Sequence, residues 1–286
     1  MRYNKIGIIG AGNIGIGVAT DLILHNIKTV LIDVSGEILK KAKSEIEKNL
    51  RFAPLYLKNL KKFNAEEIQG RLSLCTSIEK ISDCEFIIEN VTEDWDIKQK
   101  VYHQLNDLTP PDVCFGVNTS CISITKVGSI TTKPDKVVGI HFMNPVYLKS
   151  TVEVIKGFHT SDETLNNVKL LFEQLDKSAI IVNDYPGFVS NRISHLFMNE
   201  AAFVLQDQVA SAKDIDDIFK KCFGHKMGPL ETADLIGLDT VMYSLDILYN
   251  SYGDPKFRCC PLLRKLVYAG NLGRKTGRGF YEYPEI

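Results

Sequence analysis

Short apolar runs of strand length recur along roughly the first two-thirds of the chain, and stretches with helical spacing of apolar positions fall between them. The runs cover residues 5–9, 28–32, 72–74, 86–89, 113–117, 137–142, 152–155 and 179–182, with helical patterns at 16–24, 36–50, 97–108 and 163–175. This alternation predicts an α/β fold, a doubly wound, mostly parallel sheet of Rossmann type. Segment 51–62 breaks the rhythm. Pro54 interrupts it while Leu55, Tyr56, Leu57 and Leu60 keep it amphipathic, so an excursion beside the sheet domain is expected there. After Asp184-Tyr185-Pro186-Gly187 the strand pattern stops and long helical patterns follow, at 188–205, 212–223, 229–249 and 261–269. The expected division is an α/β domain at 1–186 and an all-helical C-terminal domain at 187–286.

The first run leads straight into Gly10-Ala11-Gly12-Asn13-Ile14-Gly15 and then into a helical pattern. A strand, a G-x-G-x-x-G turn and a helix are the context that makes this spacing a dinucleotide site. Gly10 permits the tight turn, Gly12 lets backbone approach a pyrophosphate, and Gly15 lets helix and strand pack closely. The helix start, with Asn13 and Ile14, offers N–H groups and a partial positive charge to phosphate. The second run ends at Asp33, where a carboxylate meets an adenosine ribose. A 2′-phosphate would face that charge with no arginine following, so the cofactor is read as NAD rather than NADP.

Composition narrows the partners. With 34 basic against 35 acidic side chains and 44% hydrophobic residues, the chain has ample core and no broad charge for nucleic acid or an anionic membrane. Seven cysteines without C-x-x-C spacing point to reduced thiols and to no metal site. Met1 to Asn4 lead at once into the first strand, and no apolar run reaches membrane-spanning length, so a cytoplasmic protein is expected.

A nicotinamide lies beyond the carboxyl ends of the strands, so the reacting groups are sought there. Asn118-Thr119-Ser120 follows the fifth run, His141 lies near the end of the sixth, and Glu153 falls within the seventh. A carboxylate beside a histidine fixes the imidazole tautomer and stabilises the imidazolium formed when the ring takes a proton. The pattern alone leaves His141 open between that role and a hydrogen-bonded core residue.

These segments together resemble the L-3-hydroxyacyl-CoA dehydrogenases. The resemblance is carried by Gly10 to Gly15, Ile88-Glu89-Asn90-Val91-Thr92-Glu93, Asn118 to Ser120, His141 to Pro145 with Glu153, Pro186 to Arg192, Met227 to Glu231, and Gly273 to Tyr281. It implies a Rossmann-type domain followed by a helical domain that dimerises. It also implies roles: His141 as general base, Glu153 as its orienting carboxylate, Ser120 and Asn191 holding the reacting oxygens and thioester side, and Glu93, Lys98 and Asn144 touching the cofactor. Asn191 belongs to the helical part, so the resemblance implies a site completed from both domains.

Departures from the common pattern bear on the substrate. Tyr147-Leu148-Lys149-Ser150-Thr151 stands where a methionine and a lysine are usual between histidine and glutamate, and Leu50 to Tyr56 replaces a helix that contacts the CoA nucleotide. With Ser120-Cys121-Ile122 and Ser194 to Glu200, these changes are similar to a branch that oxidises glyceryl thioesters on an acyl carrier protein toward polyketide extender units. That resemblance implies a carrier-protein substrate; by charge alone, Arg51, Lys58, Lys61 and Lys62 in the inserted stretch are open between docking an acidic carrier and a solvated helix face. Two alternatives stay open: an ordinary 3-hydroxybutyryl-CoA dehydrogenase, and a non-catalytic NAD-binding protein.

Overall fold

In the computed structural model, which describes residues 2–57 and 63–284, the apolar runs pair into one sheet. Its strands are β1 (Lys5–Ile9), β2 (Lys28–Ile32), β3 (Leu72–Cys75), β4 (Phe86–Glu89), β5 (Cys114–Val117), β6 (Val137–His141), β7 (Thr151–Lys156) and β8 (Ser178–Asn183). The spatial order is β3-β2-β1-β4-β5-β6-β7-β8. Neighbours run parallel throughout except β6 and β7. Helices α1 (Asn13–Leu24), α2 (Gly36–Tyr56), α3 (Ala65–Gln69), α4 (Trp95–Leu108), α5 (Ile124–Gly128) and α6 (Asp162–Gln174) lie between strands. Because helices cover a parallel sheet, its strands read as continuous apolar runs, and Ile6, Ile8, Leu31, Phe86 and Ile88 are fully buried.

The chain leaves β6 and reaches β7 through a short connection containing only a 3-10 turn at Val146–Leu148. A parallel partner needs a crossover of a dozen or more residues, so β7 returns antiparallel. The longer excursion through α6 lets β8 pair parallel with β7.

Residues 51–56 continue α2, so the excursion expected over 51–62 does not begin within them. Leu50 and Ala53 stay buried on the helix face, and Leu57 N–H still reaches the Ala53 carbonyl at 2.9 Å. A proline this close to the helix end forfeits a backbone bond without breaking the apolar contact of its face. Leu60, Lys58, Lys61 and Lys62 lie outside the described residues.

The chain divides into two compact units between Tyr185 and Pro186, one residue before the expected boundary. The second unit contains α7 (Ser190–Gln206), α8 (Ala212–Cys222), α9 (Pro229–Ile236), α10 (Leu238–Tyr252) and α11 (Pro261–Tyr268). Met198, Leu230, Leu238, Val241, Leu245 and Leu263 form its apolar centre. One helix was expected over 229–249, but Gly237 at φ 105° separates α9 from α10. That conformation is incompatible with a helix and is open to glycine. Among the described residues no helix is long and apolar enough to cross a membrane.

Candidate active site

Strand order reverses between β1 and β4, and the connections leave on opposite sides of the sheet, opening a crevice at the carboxyl ends. A cleft of 650 Å³ lies there, lined by Gly10, Gly12, Asp33, Asn90 and Val91 among others. Gly10 makes the turn at φ +96°, where a Cβ would stand 2.5 Å from the Asn90 carbonyl oxygen. A Cβ on Gly15 would meet the Gly10 carbonyl oxygen at 1.9 Å, whereas one on Gly12 meets nothing within 4 Å. Helix α1 starts at Asn13 and Ile14 with no side-chain cap and no acid in its first turn, leaving its positive end to an anion. Asp33 is held by N–H donors from Ala11 at 3.0 Å and Ser35 at 3.1 Å. Glycine clearance, an uncapped helix start and a fixed carboxylate together suit the diphosphate and ribose of NAD.

The antiparallel pairing of β6 and β7 sets His141 directly opposite Glu153. Opposed residues of an antiparallel pair project to one face, close enough for their side chains to meet. His141 Nδ1 lies 2.9 Å from Glu153 Oε2, with both side chains largely buried. An ionised carboxylate only accepts, so Nδ1 carries the hydrogen and Nε2 is the basic nitrogen. Ser120 Oγ stands 3.5 Å from that Nε2. The three groups can therefore accept and hold a proton beside a hydroxyl.

Behind them lies a layer of side chains tying loops together. Glu93 Oε1 accepts from the Thr119 hydroxyl and from the N–H groups of Ser120, Cys121 and Ile122 at 3.0, 2.9 and 3.3 Å. It thus fastens the turn that presents Ser120. Asp184 accepts from Ser123 Oγ and Thr125 N–H, both at 2.7 Å, fixing the far end of the same turn. Lys98 is fully buried and paired with Glu89 at 2.8 Å. Burial pushes the Glu89 carboxyl up, against the pull of Lys98, Val91 N–H and Tyr102. The Asn118 side chain accepts from Phe142 N–H at 3.4 Å, next to His141. Asn144 is exposed in the turn after β6.

Asn191 is the second residue of α7 in the helical unit, and His195 Nδ1 donates to its carbonyl at 3.0 Å. The sequence assigned no role in the site to Glu89, Asp184 or Tyr102. Their partners sit far along the chain, and the only signal was a charged residue closing an apolar run at Glu89. Asp21 was likewise missed; it is buried in α1 against Lys177 at 3.1 Å, with His25 at 3.5 Å. Five of the seven cysteines are buried, and all seven are free thiols.

A dinucleotide cleft and a histidine–carboxylate pair at the rim of one sheet define an NAD-dependent dehydrogenase. Comparison with known proteins narrows the class. The 3-hydroxyacyl-CoA dehydrogenase NAD-binding domain matches residues 5–185, and the C-terminal domain of the same enzymes matches 187–283. The chain belongs to the 3-hydroxyacyl-CoA dehydrogenase family. A probable 3-hydroxybutyryl-CoA dehydrogenase of Deinococcus radiodurans is 41% identical over 279 residues, covering 98% of this chain and 100% of that protein. Another, from Bacillus subtilis, is 38% identical over 285 residues, covering 100% and 99%. The crystal structure of the (S)-3-hydroxybutyryl-CoA dehydrogenase of Ralstonia eutropha superposes with a TM-score of 0.93 at 37% identity, covering 99% of this chain and 100% of that one. These relatives carry CoA names, and the expected carrier-protein branch finds no support among them.

Proposed function

We propose that this protein oxidises the 3-hydroxyl of a short 3-hydroxyacyl-CoA, of the 3-hydroxybutyryl-CoA class, to the 3-oxo thioester. The observation that carries this reading is the His141–Glu153 pair at 2.9 Å with Ser120 Oγ 3.5 Å from Nε2. His141 Nε2 takes the hydroxyl proton, and Glu153 stabilises the imidazolium so formed. Bound NAD supplies the acceptor for the hydride that leaves C3, which becomes the carbonyl carbon. Ser120 holds the reacting oxygen. Asp33 selects NAD over NADP by repelling a 2′-phosphate.

The relatives' names favour CoA over a carrier protein. Of the four cations assigned to a carrier, Arg51 is exposed on α2 and the other three lie outside the described residues. The helical unit also exposes Ile193, Val209, Phe223 and Tyr268, apolar surface that supports a homodimer formed through it.

The deciding experiment compares 3-hydroxybutyryl-CoA with a glyceryl-loaded acyl carrier protein, read by NADH absorbance and intact mass. Higher kcat/KM on CoA, unchanged in Arg51→Glu, supports the reading. A carrier-protein preference that shrinks with salt returns the protein to the polyketide branch. Sedimentation of the purified protein tests the dimer, and a monomer at micromolar concentration overturns that part.

A further inference from the structure

We propose that Asp184 is a positioning residue, which holds the Ser120 turn against the strand carrying Glu153 and so sets the Ser120 hydroxyl relative to His141. The proposal rests on the dehydrogenase reading above. Asp184 follows β8 and is the next-to-last residue of the sheet unit. Its backbone N–H donates to the carbonyl of Lys156, the last residue of β7, at 3.1 Å. Its side chain reaches the other way, where Oδ2 accepts from Ser123 Oγ and from Thr125 N–H, both at 2.7 Å. The Ser123 hydroxyl also accepts from Lys126 N–H at 3.2 Å, so its single hydrogen is left for Asp184. Oδ1 of Asp184 is buried and has no hydrogen-bond partner among the described residues. The carboxylate therefore spends its hydrogen bonding on the start of α5.

Between the two donors, Ile124 is keyed onto the sheet. It is buried over two glycines: a Cβ on Gly139 of β6 would stand 2.7 Å from Ile124 Cδ1, and one on Gly157, just after β7, 3.0 Å from Ile124 Cγ2. Phe158 N–H donates to Thr125 Oγ1 at 3.0 Å, a second link from the end of β7. The turn that presents Ser120 is thus held at both ends. Glu93 fastens its beginning to the loop after β4, on the side of the nucleotide cleft. Asp184 fastens its end to β7, the strand whose Glu153 orients His141.

This difference decides what each anchor controls. Ser120 Oγ stands 3.5 Å from His141 Nε2, at the outer limit of a hydrogen bond, so a small displacement of the turn makes or breaks the contact. Releasing the Asp184 end lets the turn shift relative to β7 while the cleft keeps its wall. A misplacement of about 1 Å at a reacting group can cost about 10²-fold in rate.

Asp184→Ala removes the anchor, whereas Asp184→Asn keeps one acceptor oxygen, which is all that the two donors use. Asp184→Ala is expected to lose about 10–10²-fold in kcat on 3-hydroxybutyryl-CoA, with the NAD dissociation constant, from fluorescence titration, within about threefold of the unmodified protein. Asp184→Asn is expected to recover kcat to within about threefold. A double-mutant cycle with Ser120→Ala tests the route: acting through Ser120, Asp184→Ala costs less than about threefold more in that background, a non-additivity that general loosening of the fold does not produce. If Asp184→Ala does not fold, Ser123→Ala deletes one of the two bonds and is expected to lose about three- to tenfold in kcat, again only where Ser120 is present. Full kcat in Asp184→Ala, or an equal loss with and without Ser120, overturns the proposal, as does a weakened NAD affinity with kcat intact at saturating NAD. If the unmodified protein turns over no hydroxyacyl thioester, the functional reading fails, while amide exchange at residues 120–125, expected faster in Asp184→Ala and unchanged in Asp184→Asn, still decides whether this carboxylate holds the turn.

Discussion

The nucleotide cleft and the His141–Glu153 pair stand at the same sheet edge but are built in opposite ways. The cleft is made largely of backbone: the Gly10 turn, the open face at Gly12, and an α1 start without a side-chain cap. Its side-chain contribution, Asp33, is fixed by main-chain N–H groups two residues away and in the adjoining turn. The reacting pair is made of side chains brought together across an antiparallel register, with a buried layer of Glu93, Lys98, Asn118 and Asp184 behind it. A backbone site tolerates change wherever a methyl group fits. A side-chain site depends on every link of its support.

The largest effect that tests this contrast belongs to the pair. His141→Ala is expected to lower turnover by about 10²–10⁴-fold while NAD titrates as before, because a positioned base contributes about that much. Glu153→Gln keeps the shape but removes the charge that stabilises the imidazolium, so a loss of at least about 10²-fold is expected. Near-normal rates in either variant, measured by steady-state NADH formation, rule out the assignment.

The glycines sharpen the other half of the comparison. Gly15→Ala places a methyl against the Gly10 carbonyl oxygen, and a loss of about 1–3 kcal/mol or more is expected in denaturant melts. Gly12→Ala meets open space and has φ −75°, so its stability is expected to stay within about 0.5 kcal/mol while NAD affinity falls. Equal stability losses at both positions would show that Gly12 also serves packing. Asp33→Ala is expected to narrow the preference for NAD over NADP by about tenfold, equivalent to about 1.4 kcal/mol. Stronger NADP binding by the unmodified protein, found by titrating both cofactors, removes Asp33 from its assigned role.

The smallest effect probes the support beneath the pair. Lys177 Nζ donates to the carbonyls of Val146 at 2.9 Å and Lys149 at 2.5 Å, holding the connection between β6 and β7, and pairs with Asp21. Burial pushes the Asp21 carboxyl up to about 6, against the pull of Lys177 and His25, with Asp176 pushing the same way as burial. The folded chain thus holds this proton more tightly than the unfolded chain. The resulting stability is present below the unfolded value near about 4 and is lost as pH rises through about 6. Relative to Asp21→Asn, the unmodified protein is therefore expected to lose stability between about pH 4 and 6 and to show a constant gap above. A gap independent of pH, from thermal melts of both proteins, means that Asp21 titrates alike in the folded and unfolded chains.

The eight strands and the glycine turn were legible because each rests on local chemistry: apolar runs buried on two sides, and backbone geometry that glycine permits. The helix break at Gly237 and the passage of α2 through Pro54 were not, since both depend on which face a neighbour covers. His141, Glu153 and Ser120 were named from places in or after the strand runs and from the family resemblance; the short gap between the sixth and seventh runs already favoured an antiparallel return, but the register that sets His141 opposite Glu153 came only with the fold. Lys98 had only a cofactor contact implied by resemblance, and the fold buries it with three acceptors. The sequence by itself determined the strands, the turn and the carboxylate at Asp33, because their interactions span a few residues. Only the tertiary structure decided the partners of His141, Lys98 and Asp21, because those bonds join segments whose meeting is fixed by strand order and register.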